Sequence, residues 1–259
     1  MNRRRAVMSC LALPLLSGGA GAGLERHYRV SLLAGNYAEG RHQAAIQVEL
    51  DGLWKTYWRV PGDAGIPPQF DWSGSENAAA VDLRYPLPHR YRDAAGESIG
   101  YKDRVLFPVS VVPRDPDKPV RLRLDLFFAV CDVICIPGKA NASIDLALAS
   151  ADPAAAALIA DWLQRVPQPA GAAKPVARAI AASEAGKPVL LLELAGRFDD
   201  IFVESATTAY FRQPEFSADG KSARLVVDGL EDAAALKGQR LDLTLARGPT
   251  GLEQTVIVG

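Results

Sequence analysis

Between Val120 and Val130 the chain alternates with a period of two for longer than anywhere else. Val120, Leu122, Leu124, Leu126, Phe128 and Val130 share one parity, while Arg121, Arg123 and Asp125 occupy the other. Six apolar residues in step define a strand with one dry face, and slipping by one residue would put all six in water. Such a strand needs a sheet around it and a second layer over it. Cys131 follows on the opposite parity. The stretch FFAVCDVICIPG (Phe127 to Gly138) then runs through Cys135 to an expected Pro137-Gly138 turn. The strongest strand thus delivers two cysteines, four positions apart, to the end of a sheet.

Similar but weaker patterns predict strands at 27–34, 43–50, 53–60, 80–85, 103–112 and 140–148. Asp51-Gly52 reads as a hairpin turn. Pro108 inside its strand points to an edge or a bulge. The Pro61 to Pro68 segment reads either as a connection between two sheets or as a wall beside the cysteines. His89 to Gly100 is polar and reads as a loop. Asp152-Pro153 supplies an N-cap and a first-turn proline for one helix, which continues through Trp162. Pro167 to Pro175 is linker-like, and short strands follow it, among them 189–194, 201–203, 208–212, 223–227, 240–246 and 254–258. The expected class is mainly β: a β-sandwich carrying the cysteine pair, one connecting helix and a second, smaller sandwich-like domain. The expected division is 1–22, 23–150, 151–175 and 176–259.

The first of these segments reads as an export signal. Arg3, Arg4 and Arg5 precede an apolar run from Ala6 to Leu16, and Ala20-Gly21-Ala22 is a small-residue cleavage site. Cys10 and both methionines lie in that segment. Cleavage after Ala22 leaves a chain with two cysteines and no run long enough to span a bilayer. The expected compartment is the periplasm, where disulfides persist. The formal charge is −1, and without a basic patch nucleic acid is not an expected partner.

A Cys131–Cys135 bridge closes so small a loop that chain entropy gives it only about 2 kcal/mol. That is little for the one disulfide of a two-domain exported chain, so the spacing favours thiol–disulfide exchange, in which one thiolate attacks and the other resolves. Asp132 does not favour a low thiol pKa, and Lys139 is a neighbour in sequence only. Ile134, Ile136 and Pro137 give the loop an apolar surface on which a partner can dock. Two other readings stay open. One is a static staple in a non-enzymatic, partner-binding protein. The other is a copper(I) site in a stress protein, since a zinc site needs further ligands and His27, His42 and His89 are remote in sequence. No cofactor and no resident metal are expected.

Three stretches, WKTYWRVPGDAGIPPQFDW (Trp54 to Trp72), GYKDRVLFPVSV (Gly100 to Val111) and AVCDVICIPGKA (Ala129 to Ala140), resemble the periplasmic amino-terminal domain family of the DsbD thiol:disulfide interchange proteins, and more closely its ScsB-like variant in copper-sensitivity proteins. The resemblance covers about residues 25 to 150. It is weaker beyond, where DIFVES (Asp200 to Ser205) and FRQPEF (Phe211 to Phe216) are similar to the second β-domain of longer members. It implies an immunoglobulin-like sandwich with a redox pair at one end. Electrons arrive from a membrane electron-transfer protein and leave to thioredoxin-like periplasmic proteins, such as disulfide isomerases or those of cytochrome c biogenesis. On this resemblance Cys135 forms the mixed disulfide and Cys131 resolves it. A cap over the pair maps to Arg92 to Gly96. Asp93 lies within it as a cap or wall residue, Ala94 or Ala95 stands in place of the usual aromatic residue, and capping is either looser or supplied by Tyr91 or Tyr101. The resemblance places the membrane and thioredoxin-like domains on separate polypeptides, or else makes this chain a soluble adaptor.

Overall fold

The computed structural model describes residues 27–63, 65–93, 96–148 and 152–259. The export-signal reading and the Ala94–Ala95 part of the cap lie outside them. Ten strands build the first half: β1 (Tyr28–Ala38), β2 (Arg41–Leu50), β3 (Lys55–Gly62), β4 (Gln69–Asp71), β5 (Ala78–Leu83), β6 (His89–Asp93), β7 (Gly96–Lys102), β8 (Arg104–Pro113), β9 (Val120–Cys131) and β10 (Cys135–Leu146). One sheet runs β1-β2-β8-β5. The other runs β10-β9-β3-β7-β6, with β4 also paired to β9. The six even-numbered apolar residues of β9 are all buried between the sheets. Each contributes about 1.5–3 kcal/mol relative to exposure. The opposite parity leaves Arg121, Arg123 and Asp125 in solvent.

Helix α1 (Pro153–Leu163) begins where Asp152 Oδ1 accepts the Ala154 N–H at 2.9 Å. It buries Ala155, Ile159 and Trp162 against the outer side of the first sheet. The second half follows with β11 (Gln168–Pro169), β12 (Val176–Glu184), β13 (Lys187–Leu194), β14 (Asp200–Ser205), β15 (Tyr210–Phe211), β16 (Glu215–Phe216), β17 (Ser222–Asp228), β18 (Arg240–Arg247) and β19 (Thr250–Ile257). Its sheets run β11-β19-β18-β14 and β12-β13-β17-β15, with β16 on β17, around a core of its own that includes Leu190, Ile201, Leu225 and Leu241. Among the described residues no helix is long and apolar enough to cross a membrane.

The structure corrects several local readings. Asp51-Gly52 is not a hairpin turn, because β2 and β3 belong to different sheets. It carries the chain from one sheet to the other, and the Trp54 N–H donates to the Asp51 carbonyl at 3.1 Å. β8 is interior, not an edge. The Pro108 carbonyl accepts from Arg84, one residue past the end of β5. Amide and carbonyl of a strand residue point the same way, so the missing proline donor faces the place where the ladder has already ended. Pro137 and Gly138 form no turn. They lie inside β10, opposite Ala129 and Phe128, on the edge of the sheet where proline is tolerated. The Pro61 to Pro68 segment leaves β3 and returns as β4 in the same sheet, so it does not join two sheets. The linker-like stretch contains β11, paired in parallel with β19. β12 went unread because its many alanines and polar residues hide the alternation.

The polar run His89 to Gly100 is the largest correction. It forms the β6–β7 hairpin, with Glu97, Ser98 and Ile99 buried. Its charges are covered by the second half of the chain. Arg90 donates to Glu97 at 2.5 Å, to both Asp200 oxygens at 3.0 and 3.2 Å and to the Ile201 carbonyl at 3.2 Å. The Tyr210 hydroxyl donates to Glu97 at 2.7 Å. The Arg90 and Glu97 side chains are 5% and 3% exposed, so this is a buried network whose members are paired several times over, as desolvated charges require. Burial alone would raise the Glu97 carboxyl, but Tyr210, Arg90 and Arg92 hold it below its usual value. Burial raises Asp200, and Arg90 offsets this only in part. Nearby, Arg59 donates to Glu204 at 2.6 and 2.8 Å and to Glu253 at 3.0 Å. Phe202 lies 5.7 Å from the Trp58 ring and, with Ala246, joins the first core.

Candidate functional site

Cys131 is the last residue of β9 and Cys135 the first of β10, directly opposite in the ladder and joined as a disulfide with Cα atoms 4.2 Å apart. Asp132, Val133 and Ile134 close the hairpin, where the Asp132 N–H donates to the Ile134 carbonyl at 3.3 Å. The two sulfurs sit in different environments. Cys131 is 1% exposed, whereas Cys135 is exposed. Cys135 stands on the edge strand β10; on the inner strand β9, parity turns Cys131 away from the main core, as it does Ala129. There both meet a small cluster completed by Tyr57 and Ile66.

Tyr57 is the contact that joins the pair. Its hydroxyl donates to Cys131 Sγ at 2.7 Å and lies 3.3 Å from Cys135 Sγ. Its ring is held by the loop after β3. A Cβ on Gly65 would fall 2.6 Å from that ring, so only glycine lets the loop lie so close. The loop is therefore a wall of the cysteine site, with Ile66 against Cys131. Thr56 donates to the Ala129 carbonyl at 2.9 Å and ties β3 to β9 beside the pair. Lys55, also buried, is the register partner of Cys131, and Lys102 is the next in the row.

The residues expected around the pair are divided. Ile134 is 64% exposed and the unpredicted Val133 is 87% exposed, so the loop tip is an apolar projection. Pro137 is exposed in β10. Ile136, opposite Val130, packs on the main core, so most of its side chain is turned away from the tip. Tyr101 is no cap. It is 4% exposed inside the main core, its ring meets Phe107 edge-on and its hydroxyl donates to the Pro86 carbonyl at 2.8 Å. Tyr91 is half-buried in β6 beneath the Lys102 ammonium, 4.8 Å from the ring centroid, and burial raises its phenol to about 12. Asp93 lies in β6 opposite Gly96. Sequence reasoning missed Tyr57 and offered Gly65 and Ile66 only as part of the Pro61 to Pro68 wall reading. Only the aromatic, glycine-rich character of 54–72 hinted at them, since no local pattern ties position 57 to position 131.

An immunoglobulin-like sandwich that ends in a partly exposed cysteine pair, four residues apart, is a thiol–disulfide interchange module. Residues 28–146 match the family model of the thiol:disulfide interchange protein DsbD, N-terminal, and this domain of the chain belongs to that family. A crystal structure of the N-terminal periplasmic domain of ScsB from Proteus mirabilis has the same fold, with a TM-score of 0.70 at 22% sequence identity over 90% of this chain and 94% of that one. No curated protein matches the chain.

Proposed function

We propose that the chain works in the periplasm as one link of an electron relay, through the Cys131/Cys135 dithiol–disulfide couple. The division into an export signal (1–22), a redox sandwich (23–150), a helix and linker (151–175) and a second β-domain (176–259) belongs to the same reading. In the reduced form the exposed Cys135 thiolate attacks the disulfide of a thioredoxin-like partner. It forms a mixed disulfide and releases one partner thiolate. Cys131 then attacks Cys135 Sγ, closes the internal disulfide and releases the second partner thiolate. The partner gains two electrons, takes up two protons and becomes a dithiol. A membrane electron-transfer protein reloads the couple by the reverse steps.

The observation that carries this reading is the asymmetry of the pair, one sulfur exposed and one covered, with a phenolic hydroxyl shared between them. Attack from outside is open at Cys135 alone, while Cys131 is placed to resolve. The test is to mix a reduced Cys131→Ser variant with an oxidised thioredoxin-like protein. A stable mixed disulfide through Cys135 is expected, and Cys135→Ser forms none. The relay is excluded if the wild-type couple has a potential below about −300 mV, the range of structural disulfides that resist reduction.

A further inference from the structure

We infer that the second domain contributes a positioning residue to the cysteine site: Arg212, which follows β15, holds the loop that seats Tyr57 on the two sulfurs. This rests on the relay reading. Arg212 donates to Asp63 at 2.5 Å across the domain boundary. It is fixed on its own side by Asp228 and by the Tyr210 ring, 5.0 Å from the guanidinium. Asp63 is the first residue of the wall loop after β3. Its N–H donates to the Glu97 carbonyl at 3.0 Å, and its carboxylate accepts from the Glu97 N–H at 3.4 Å. Two and three residues further on, Gly65 lies against the Tyr57 ring and Ile66 against Cys131. Tyr210, two residues earlier on β15, bonds Glu97 itself. One segment of the second domain therefore grips both the start of the wall loop and the β7 arm beside it. Arg212 thus holds the residue at which the loop leaves β3, and two positions on Gly65 meets the Tyr57 ring, whose hydroxyl touches both sulfurs.

The test is the rate at which dithiothreitol reduces the full-length protein. Its thiolate attacks Cys135, releasing Cys131. Its second thiol then displaces Cys135 and closes the oxidised ring. Arg212→Ala and Asp63→Asn should each raise this rate at least threefold, with the thermal midpoint nearly unchanged. The conservative Arg212→Lys should keep the rate close to wild type. Arg224→Ala, which removes ion pairs with Glu184 and Glu215 elsewhere in the same domain, should leave the rate unchanged. Equal rates in wild type, Arg212→Ala and Asp63→Asn would overturn the inference and leave the relay intact. A wild-type disulfide that dithiothreitol cannot open would instead sink the relay reading.

Discussion

Two regions of the first domain invert the usual partition of polar and apolar residues, in opposite senses. At the loop tip, Val133 and Ile134 stand in solvent. At the β6–β7 hairpin, Arg90 and Glu97 are buried. The tip has no covering layer among the described residues, and under the proposed relay its apolar side chains would meet a protein that comes and goes. The hairpin is covered permanently, because β14 and β15 bring Asp200, Ile201 and Tyr210 to satisfy its charges. A surface for a transient partner is apolar and nearly free of specific bonds, whereas a fixed seam is charged and fully bonded. The difference separates what this molecule offers from what it keeps.

The sharpest test of the contrast is at the tip. Cys135→Ser should abolish exchange with any partner while leaving the thermal midpoint within a few degrees of wild type, because the small loop closed by the bridge stabilises by only about 2 kcal/mol. At the seam the outcome should be reversed. Arg90→Ala strands buried carboxylates, so denaturant unfolding should show a loss of about 3–5 kcal/mol, with the cysteines still reactive. Tyr57→Phe comes next. In the dithiol form the hydroxyl stabilises a thiolate, and a hydrogen bond to a charged group contributes about 1.5–3 kcal/mol. Its removal should make the measured reduction potential more negative by about 30 mV or more, one tenfold step in the exchange equilibrium.

Smaller effects sharpen the same comparison. Replacing Val133 and Ile134 together by serine should slow exchange with a protein partner severalfold but leave the dithiothreitol rate alone, with stability changed by less than about 0.5 kcal/mol. The seam should also register acid. Against the pull of burial, Tyr210, Arg90 and Arg92 hold the Glu97 carboxyl below its ordinary value, so its contribution is complete above that ordinary value and is lost as the pH falls through the lower, folded-state one. Asp200, raised by burial, acts in the opposite direction. Thermal midpoints against pH should therefore fall less steeply in acid for Glu97→Gln than for wild type, and more steeply for Asp200→Asn.

The strand that carries the cysteines was legible because its signal is local. Six residues of one parity set the register of β9, and the same rule put Cys131 on the far side from the core. The hairpin at 89–100 was illegible for the complementary reason. Its polar residues are buried by segments more than 100 positions away, as in Arg90–Asp200 and Glu97–Tyr210, and no window of sequence contains both partners. Tyr57 is the same case within the site, because it meets the sulfurs only after β3 and β9 pair. The proline rule misled at Pro108, where the ladder has already ended beside it, and the Pro-Gly signal misled at Pro137, where an open sheet edge tolerates it.

That open edge has one further consequence. On β10 the outward-facing amide and carbonyl of Lys139 are both held by the Tyr28 hydroxyl, at 3.2 and 3.1 Å. By alternation Pro137 faces the same way and has no hydrogen to give. Next to the disulfide a visiting chain thus finds one rung already occupied and the next without its donor. Strand augmentation is disfavoured on this flank, and under the proposed relay a client would meet the hairpin head-on, side chain to side chain, as suits a contact that must let go after each turnover.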